Sequence, residues 1–300
     1  MSRAKQIEKW LSQAEFTGEL SPTSVEQYRL QMGYLTEYLD KQQTTLEEMD
    51  WSLFIDYLKF KGWSKNMSRQ AQSAARAFLK SQGVTDHAVF AHPLIRGKSR
   101  DGRTLLLEEV DQLRAVYRSN CATGVRNMAM LLLSFHSGLR SRELCGLKVD
   151  DLLWQQKKVR ISNGKGMNGD IVYGPFTDEN TRAALSMWLE VFRPQVANGI
   201  SGDALFLGVG GKKRGLPITH DGWRSICAKW GRRAGVDHFS PHSLRRAFAF
   251  HYAVVLGFPS EVVRKAGRWI TLSSFERYLV GANLDTFLDF AGRANGHGPS

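Results

Sequence analysis

The stretch from Val125 to His136 is apolar on almost every side of a helix, and it sets the main limit on the fold. A helix that lacks a polar face is buried, so other elements must surround it. Its longest apolar run, Met128 to Phe135, is far too short to cross a bilayer. Gly138 follows, and glycine readily adopts the left-handed conformation that ends a helix. We therefore expect Arg140 to lie in a turn, positioned by a buried helix yet reachable.

A polar, basic segment bracketed by proline and glycine divides the chain, and we predict that it is a linker. Three hundred residues are too many for one small core, which also favours two domains. The predicted organisation is a helical domain at 1–92, a linker at 93–103, a larger domain at 104–291 and a flexible tail at 292–300. The fold class is therefore predicted to be mainly α with a small β-sheet.

Apolar residues at helical spacing predict most of the elements. In the first domain, helices are predicted at 3–14, from Ser21 onward, at 46–60 and at 64–81. Its aromatic side chains are interpreted as core, with a basic side facing outward. In the larger domain, helices are predicted at 107–118, 125–136, 179–196, 220–234, 241–256, 260–266 and 284–291. Two strands, at 158–162 and 170–173, are predicted to form a hairpin with a glycine-rich tip.

The formal net charge of +12 is spread along the chain and favours a polyanionic partner, nucleic acid first and an anionic membrane second. The three cysteines, Cys121, Cys145 and Cys227, are far apart, which argues against a zinc ribbon or a disulfide framework. The first residues carry no apolar segment typical of a signal peptide. We therefore expect a cytoplasmic protein that needs no metal or other cofactor.

Two cationic side chains in the larger domain are candidates for holding a phosphate. The guanidinium of Arg140 can grip two phosphate oxygens at once, and Glu143 is three residues away, where it can orient Arg140. Lys165 lies between two glycines at the hairpin tip, where it can reach a ligand and protonate a departing oxygen. A surface Arg–Glu pair and a solvated turn lysine are the structural alternatives.

The sequence Ser240-Pro241-His242-Ser243-Leu244-Arg245 is more specific. Serine is a good N-cap, and proline fits the first position of a helix. His242 then lies in the first turn, and Arg245 is on the same face, near N–H groups that favour an anion. Arg246 is an alternative to Arg245 that spacing alone does not exclude.

Trp269 and Tyr278 complete the candidate site. The indole N–H of Trp269 is a donor that never ionises, although a packed core tryptophan is the alternative. A tyrosine is a weak nucleophile unless nearby cations stabilise the phenolate. The arginines, lysine and histidine would supply those charges to Tyr278. Tyr252 is the rival nucleophile, but it lies in an apolar helix and is interpreted as core.

The order and spacing of these motifs resemble the tyrosine recombinase (phage integrase) family. The matching stretches are SGLRSREL at 137–144, GKG at 164–166, HSLR at 242–245 and GRW followed by tyrosine at 267–278. The resemblance implies a mixed α/β catalytic domain at 104–291, preceded by a helical core-binding domain. With about twenty residues before the first strong helix signal, a simpler Cre-like or Xer-like two-domain architecture is expected.

The resemblance also implies roles for individual residues. Arg140 and Arg245 would hold the scissile phosphate, Glu143 would support them, and Lys165 would protonate the leaving 5′-hydroxyl. His242 would act in proton transfer, and Tyr278 would attack to give a 3′-phosphotyrosine. Trp269 stands where many members have histidine, a departure that the family tolerates.

The function that this resemblance implies is site-specific DNA recombination, without metal or ATP. A tetramer on two paired double-stranded DNA sites would exchange strands through a Holliday junction, with accessory proteins as further partners. Residues 283–291 are expected to dock on a neighbouring subunit or to pack in the core. The rival functions are a relaxing type IB topoisomerase and a DNA-binding regulator that no longer cleaves.

Overall fold

The computed structural model describes residues 3–46, 48–95, 104–116, 120–162 and 171–279. The chain divides into two compact units, Met1–Asp101 and Gly102–Ser300. Both units are mainly helical, and the second also holds a three-stranded sheet, which confirms the predicted fold class. Most of the predicted linker and all of the predicted tail lie outside the described residues, so the domain boundaries and the tail stay predictions.

The first unit is a helical bundle whose starts are fixed by side-chain caps. Its helices are α1 (Arg3–Phe16), α2 (Pro22–Gln42), α3 (Trp51–Phe60), α4 (Lys65–Ser81) and the short α5 (Ala88–Ala91). Ser21 Oγ accepts a hydrogen bond from the Ser24 N–H, and Ser64 Oγ accepts one from the Met67 N–H, each at 3.3 Å. These caps confirm the helix starts expected at Ser21 and Ser64.

Helix α3 begins five residues later than predicted. The carboxylate of Asp50 accepts a hydrogen bond from the Ser52 N–H at 2.7 Å and caps the helix there. Leu46 is buried but lies before the helix, so its apolar character reflects burial and not helical periodicity. Helix α5 was not predicted from the sequence.

The aromatic side chains of the first unit form much of its core, as predicted. Trp10 packs edge-on against Phe78 with ring centres 5.4 Å apart, and Tyr38 packs against Phe54 at 5.0 Å. Phe54 is fully buried. Phe16 at the end of α1 and Phe60 at the end of α3 are instead 93% and 89% exposed.

The second unit contains nine described helices and the sheet. The helices are α6 (Leu107–Ala115), α7 (Ala122–Ser137), α8 (Ser141–Cys145), α9 (Glu179–Met187), α10 (Arg193–Val196), α11 (His220–Ala234), α12 (Pro241–Phe250), α13 (Ser260–Ala266) and α14 (Leu272–Glu276). Short 3-10 turns lie at Val149–Asp151 and Gly211–Lys213. The short helices α8 and α14 were not predicted from the sequence.

Helix α7 is the centre of this unit, and it confirms the prediction of a buried helix. Met130, Leu131 and Leu133 have no exposed surface. The helix packs against α9 on one side and α12 on another. No helix in the described ranges is both long and apolar enough to span a membrane.

Two predicted helices contain a π-helical turn. The helix predicted at 179–196 is interrupted at Trp188–Phe192, between α9 and α10. The helix predicted at 241–256 changes to a π-helix at His251–Val255, directly after α12. Each π turn carries one extra residue per turn and shifts the following side chains around the axis, which simple periodicity does not reveal.

The sheet has the order β1-β2-β3 and is antiparallel throughout. The strands are β1 (Leu152–Leu153), β2 (Lys158–Ile161) and β3 (Val172–Pro175). Val159 and Ile161 are buried on one face of β2. The predicted hairpin is therefore present, but β3 begins two residues later than expected and β1 was not predicted. The hairpin tip, with Lys165, lies outside the described residues.

Candidate active site

Gly138 ends helix α7 in the left-handed conformation that the sequence predicted. Its φ is +57° and its ψ is +30°. A Cβ on Gly138 would lie 2.6 Å from a ring carbon of Phe248 in α12, so the helix crossing also requires glycine. The turn after Gly138 leads directly into α8, whose N-cap is Arg140.

Replacing Gly138 with alanine is expected to destabilise the protein by about 2 to 5 kcal/mol, since the strained backbone and the clash with Phe248 both contribute. The matched control is Gly235→Ala at the end of α11. Gly235 also has a left-handed φ of +69°, but a Cβ added there would meet nothing within 4 Å. That control should lose only about 1 to 2 kcal/mol. Urea denaturation checks both values, and equal losses would contradict the role of Phe248.

Glu143 holds Arg140 by two hydrogen bonds. The Arg140 Nη1 donates to Glu143 Oε1 at 2.6 Å, and the Arg140 backbone N–H donates to Oε2 at 2.8 Å. Glu143 is 2% exposed, whereas 31% of the Arg140 side chain is exposed. Burial alone would raise the pKa of Glu143, but the charge of Arg268 and the hydrogen bonds from Arg140 outweigh it and hold the pKa below its ordinary value.

Arg268 is a site residue that was not predicted from the sequence. Its Nη2 donates to Glu143 Oε2 at 2.9 Å, so Glu143 pairs with two arginines. Arg268 stands between the predicted Gly267 and Trp269 in the chain, but its contacts to α7 and α8 span more than a hundred residues. Its left-handed φ of +61° is equally invisible in the sequence.

Helix α12 begins as predicted and brings Arg245 under the turn at Gly138. Ser240 Oγ accepts a hydrogen bond from the Ser243 N–H at 3.2 Å, and Pro241 occupies the first helical position. Arg245 is 2% exposed, and its Nη1 donates to the Gly138 carbonyl oxygen. Its guanidinium carbon lies 4.0 Å from the centre of the Trp269 ring.

The charge of Arg245 is only partly compensated. Within the described ranges its Nη2 has no hydrogen-bond partner. Burial lowers the pKa of Arg245 to about 9, and the nearby charges of Arg140 and Arg268 act in the same direction. A buried arginine with a free donor is a strong binding position for an anion.

Arg246, the alternative to Arg245, is also buried but points elsewhere. Its Nη1 donates to the Arg277 carbonyl oxygen at 3.2 Å, and its guanidinium carbon lies 5.1 Å from the centre of the Tyr278 ring. The structure therefore groups Arg245 with Arg140, Glu143 and Arg268, and it places Arg246 against the tyrosine.

Tyr278 follows α14 and is partly buried. Its ring centre lies 5.0 Å from that of Trp269 and 5.3 Å from that of His242, in edge-on contacts. Trp269 is 4% exposed, and its Nε1 has no hydrogen-bond partner among the residues that the structure describes. A buried indole N–H without a partner is available to a ligand.

The surroundings of His242 favour its uncharged form, which can accept a proton. Desolvation and the charges of Arg246, Arg245 and Arg140 lower the pKa of His242. A neutral imidazole beside a tyrosine is suited to general-base or general-acid chemistry. The structure thus brings together six predicted residues: Arg140, Glu143, His242, Arg245, Trp269 and Tyr278. Lys165 lies outside the described residues.

Tyr252, the rival nucleophile, is engaged in a different contact. Its hydroxyl forms a 3.0 Å hydrogen bond with His136 Nδ1, and its ring packs against Phe248 at 4.9 Å. Burial raises the pKa of Tyr252 to about 12, which disfavours the phenolate. These contacts agree with the interpretation of Tyr252 as a core residue.

On this fold, a cluster of arginines beside a histidine and a tyrosine is typical of the DNA strand-transfer enzymes that use a tyrosine. The chain belongs to the phage integrase family, whose model matches residues 103–283. Members of this family are tyrosine recombinases, so the chain is an enzyme of site-specific DNA cleavage and rejoining.

Individual relatives support this assignment. The chain is 29% identical over 263 residues to tyrosine recombinase XerD of Pasteurella multocida, a match that covers 82% of this chain and 83% of the relative. It is 34% identical over 193 residues to tyrosine recombinase XerC of Corynebacterium glutamicum, covering 64% of this chain and 54% of the relative.

Solved structures show the same fold at low sequence identity. The XerH recombinase bound to a palindromic difH substrate, in its post-cleavage complex, matches with a TM-score of 0.70 at 17% identity, over 98% of this chain and 86% of that one. A lambda integrase dimer bound to a COC′ core site matches with a TM-score of 0.70 at 14% identity, over 95% and 79% of the two chains.

Proposed function

We propose that this recombinase cuts DNA by attack of Tyr278 on a phosphate held by Arg140 and Arg245. The observation that carries the proposal is the position of Tyr278, whose ring contacts Trp269 and His242 near the buried Arg245 and Arg246. Cationic and neutral donors around a phenol stabilise the phenolate that must form on attack.

The proposed phosphate site combines Arg140, whose orientation is fixed by its partners, with Arg245, which has a donor without a partner among the described residues. Glu143 and the Arg268 carbonyl oxygen hold the two Nη atoms of Arg140, and the side chain stays exposed enough for its remaining N–H groups to meet a ligand. Arg245 contributes the Nη2 donor that has no partner in the described residues. Trp269 Nε1 is a third donor for a non-bridging phosphate oxygen. Such preorganised donors stabilise the charge that develops as the phosphate becomes five-coordinate.

The proposed reaction exchanges one phosphodiester for another. The Tyr278 oxygen forms a bond to phosphorus as the bond to the 5′-oxygen breaks, and His242 takes part in moving the phenolic proton. Lys165 supplies a proton to the leaving 5′-hydroxyl. Because the 3′-phosphotyrosine retains the phosphodiester energy, a second 5′-hydroxyl can reverse the step without ATP or a metal.

The proposed partner is double-stranded DNA, and the net charge of +12 supports it. The solved structural neighbours include a recombinase bound to its DNA substrate and an integrase dimer bound to a core site. Strand exchange between two sites needs four cleavages, so we propose a tetramer on two paired sites and a Holliday junction intermediate. Residues 283–291 lie outside the described residues, and their docking on a neighbouring subunit belongs to the same proposal. So do accessory proteins and a place at the nucleoid.

Trapping of the intermediate tests the proposal. Incubation with nicked suicide duplexes that carry candidate sites is expected to give a protein–DNA adduct that survives denaturing gels. Digestion and mass spectrometry should then place the 3′-linked DNA on the tryptic peptide that contains Tyr278. Attachment to any other residue, or to a 5′ end, would contradict the proposed chemistry.

A two-site assay separates recombination from the rival functions. Plasmids with two sites should yield recombinant circles and Holliday junctions. Relaxation of supercoils without exchange would favour the topoisomerase alternative. Site-specific binding without any adduct would favour the regulator, in contradiction to the proposed cleavage.

A further inference from the structure

Arg268 has no role in the proposed chemical steps, yet it is the most constrained arginine of the site. Its φ of +61° lies in a region that side-chain-bearing residues adopt only at a cost. Its side chain is 7% exposed. A strained backbone and a buried charge are both unfavourable, and they persist where surrounding contacts compensate for them.

The guanidinium of Arg268 binds three different parts of the second unit. Its Nη2 donates to Glu143 Oε2 at 2.9 Å and to the Gly138 carbonyl oxygen at 3.1 Å. Its Nη1 donates to the carbonyl oxygens of Ser137 at 3.3 Å and Ala266 at 2.9 Å. These bonds join the end of α7, the carboxylate in α8 and the end of α13.

The backbone of Arg268 and the sheet take part as well. The Arg268 carbonyl oxygen accepts a hydrogen bond from Arg140 Nη2 at 3.2 Å. Gly174 in β3 lies against the guanidinium, and a Cβ there would be 3.0 Å from Arg268 Nη1. The strand is thus shaped to admit the side chain. Arg268 therefore touches every element that fixes Arg140, and it binds the same carbonyl oxygen as Arg245.

We propose that Arg268 is a positioning residue for strand cleavage. It fixes the carboxylate of Glu143 and the carbonyl end of α7, and through them it directs Arg140 and Arg245 toward one phosphate. This inference rests on the proposed function, which makes those two arginines the phosphate ligands. Arg268 itself has no contact with Tyr278 among the described interactions and is not assigned to the chemical step.

The charges around Glu143 give the proposal a measurable consequence. Arg140 and Arg268 bind the carboxylate directly, and Arg245 from α12 lies close enough to interact with it. Of the charges that lower the pKa of Glu143, Arg268 has the largest effect. Without Arg268 the burial of Glu143 remains, so its pKa rises. Protonation would then release Arg140 at a pH where the wild-type pair is intact.

Arg268→Gly is the informative substitution, because glycine adopts a φ of +61° without strain. At saturating suicide DNA we expect a cleavage rate constant lower by about 10²-fold, the usual cost of a misplaced reacting group. The acidic limb of the pH–rate profile should move to higher pH, because the buried Glu143 carboxylate loses the charge that most favours its ionised form. Arg268→Lys keeps the positive charge but loses the two-pronged guanidinium. It should restore part of the cleavage rate and return most of the pH–rate profile to that of the wild type.

Two further variants separate positioning from folding. Arg126→Lys changes a different buried arginine, which lies in α7. Its Nη1 donates to the Leu207 carbonyl oxygen at 3.0 Å. This substitution should lower the midpoint of thermal unfolding but leave the pH–rate profile of cleavage unchanged. In Glu143→Gln/Arg268→Gly the shift of the acidic limb should vanish, because glutamine does not titrate.

The outcome for Arg140→Ala distinguishes this inference from the proposed function. If Arg140→Ala retains cleavage, the proposed function fails. If Arg140→Ala loses cleavage while Arg268→Gly keeps the wild-type rate and pH profile, only the positioning role is overturned. A uniform loss in Arg268→Gly at every pH, in proportion to a lost folded fraction, would also overturn it.

Discussion

Tyr278→Phe is expected to abolish the covalent protein–DNA adduct and all recombination, while DNA binding and stability stay close to wild type. The substitution removes only the phenolic oxygen. The edge-on contacts of the ring with Trp269 and His242, at 5.0 and 5.3 Å, do not need that oxygen. Loss of a covalent nucleophile in another enzyme costs on the order of 10⁶-fold in rate, so no adduct should be detectable on denaturing gels.

The matched control is Tyr252→Phe, which removes a phenolic oxygen from the same unit. That oxygen is bonded to His136 Nδ1 at 3.0 Å, so its loss should cost about 1 kcal/mol of stability. The adduct should form at nearly the wild-type rate. If instead Tyr278→Phe forms the adduct and Tyr252→Phe does not, the nucleophile assignment is wrong.

Residues whose positions depend on local chain geometry were predictable from the sequence. Gly138 ends α7 and Ser240 caps α12, because both effects involve residues within a few positions of each other. The same holds for the pairing of Arg140 with Glu143 across one helical turn. The sequence could therefore place most of the candidate site once its motifs were read in order.

Features that depend on distant contacts were not predictable. The carboxylate that pairs with Arg268 belongs to Glu143, 125 positions away, and the left-handed backbone of Arg268 is not suggested by an arginine. The choice between Arg245 and Arg246 depends on which one meets the Gly138 carbonyl oxygen. The π turn after α12 arises within a continuous apolar pattern, so periodicity alone predicted an ordinary helix.

Arg245→Met is expected to lower the cleavage rate by at least about 10² to 10³-fold, the usual cost of removing one preorganised donor from a developing oxyanion. The protein should nevertheless remain folded. Arg245 is 2% exposed, its pKa is lowered to about 9, and its Nη2 lacks a partner in the described chain. The folded state thus disfavours this charge, and an apolar replacement for a buried charge is often neutral or stabilising.

Thermal unfolding without an anion measures what the buried charge of Arg245 costs in stability. The same measurement with an anion shows how much stability its binding adds. A ligand that binds only the folded state raises the midpoint, and the rise grows with the ratio of ligand concentration to its dissociation constant. Inorganic sulfate should therefore stabilise the wild type more than Arg245→Met, although the variant starts from an equal or higher midpoint. A variant that unfolds early would show that Arg245 serves the fold and not a ligand.

Arg246→Met provides the comparison within the same helix. Arg246 is also buried, at 8% exposed, and its Nε also has no partner among the described residues, but its Nη1 binds the Arg277 carbonyl oxygen beside the tyrosine. Its loss should reduce cleavage less than the loss of Arg245 and leave the sulfate effect on the midpoint intact. An equal or larger loss of cleavage, together with loss of the sulfate effect, would make Arg246 the phosphate ligand. The two variants thus decide by measurement what the spacing of adjacent arginines leaves open. A donor kept unpaired at a cost in stability is the arrangement expected where an anion supplies the missing partner.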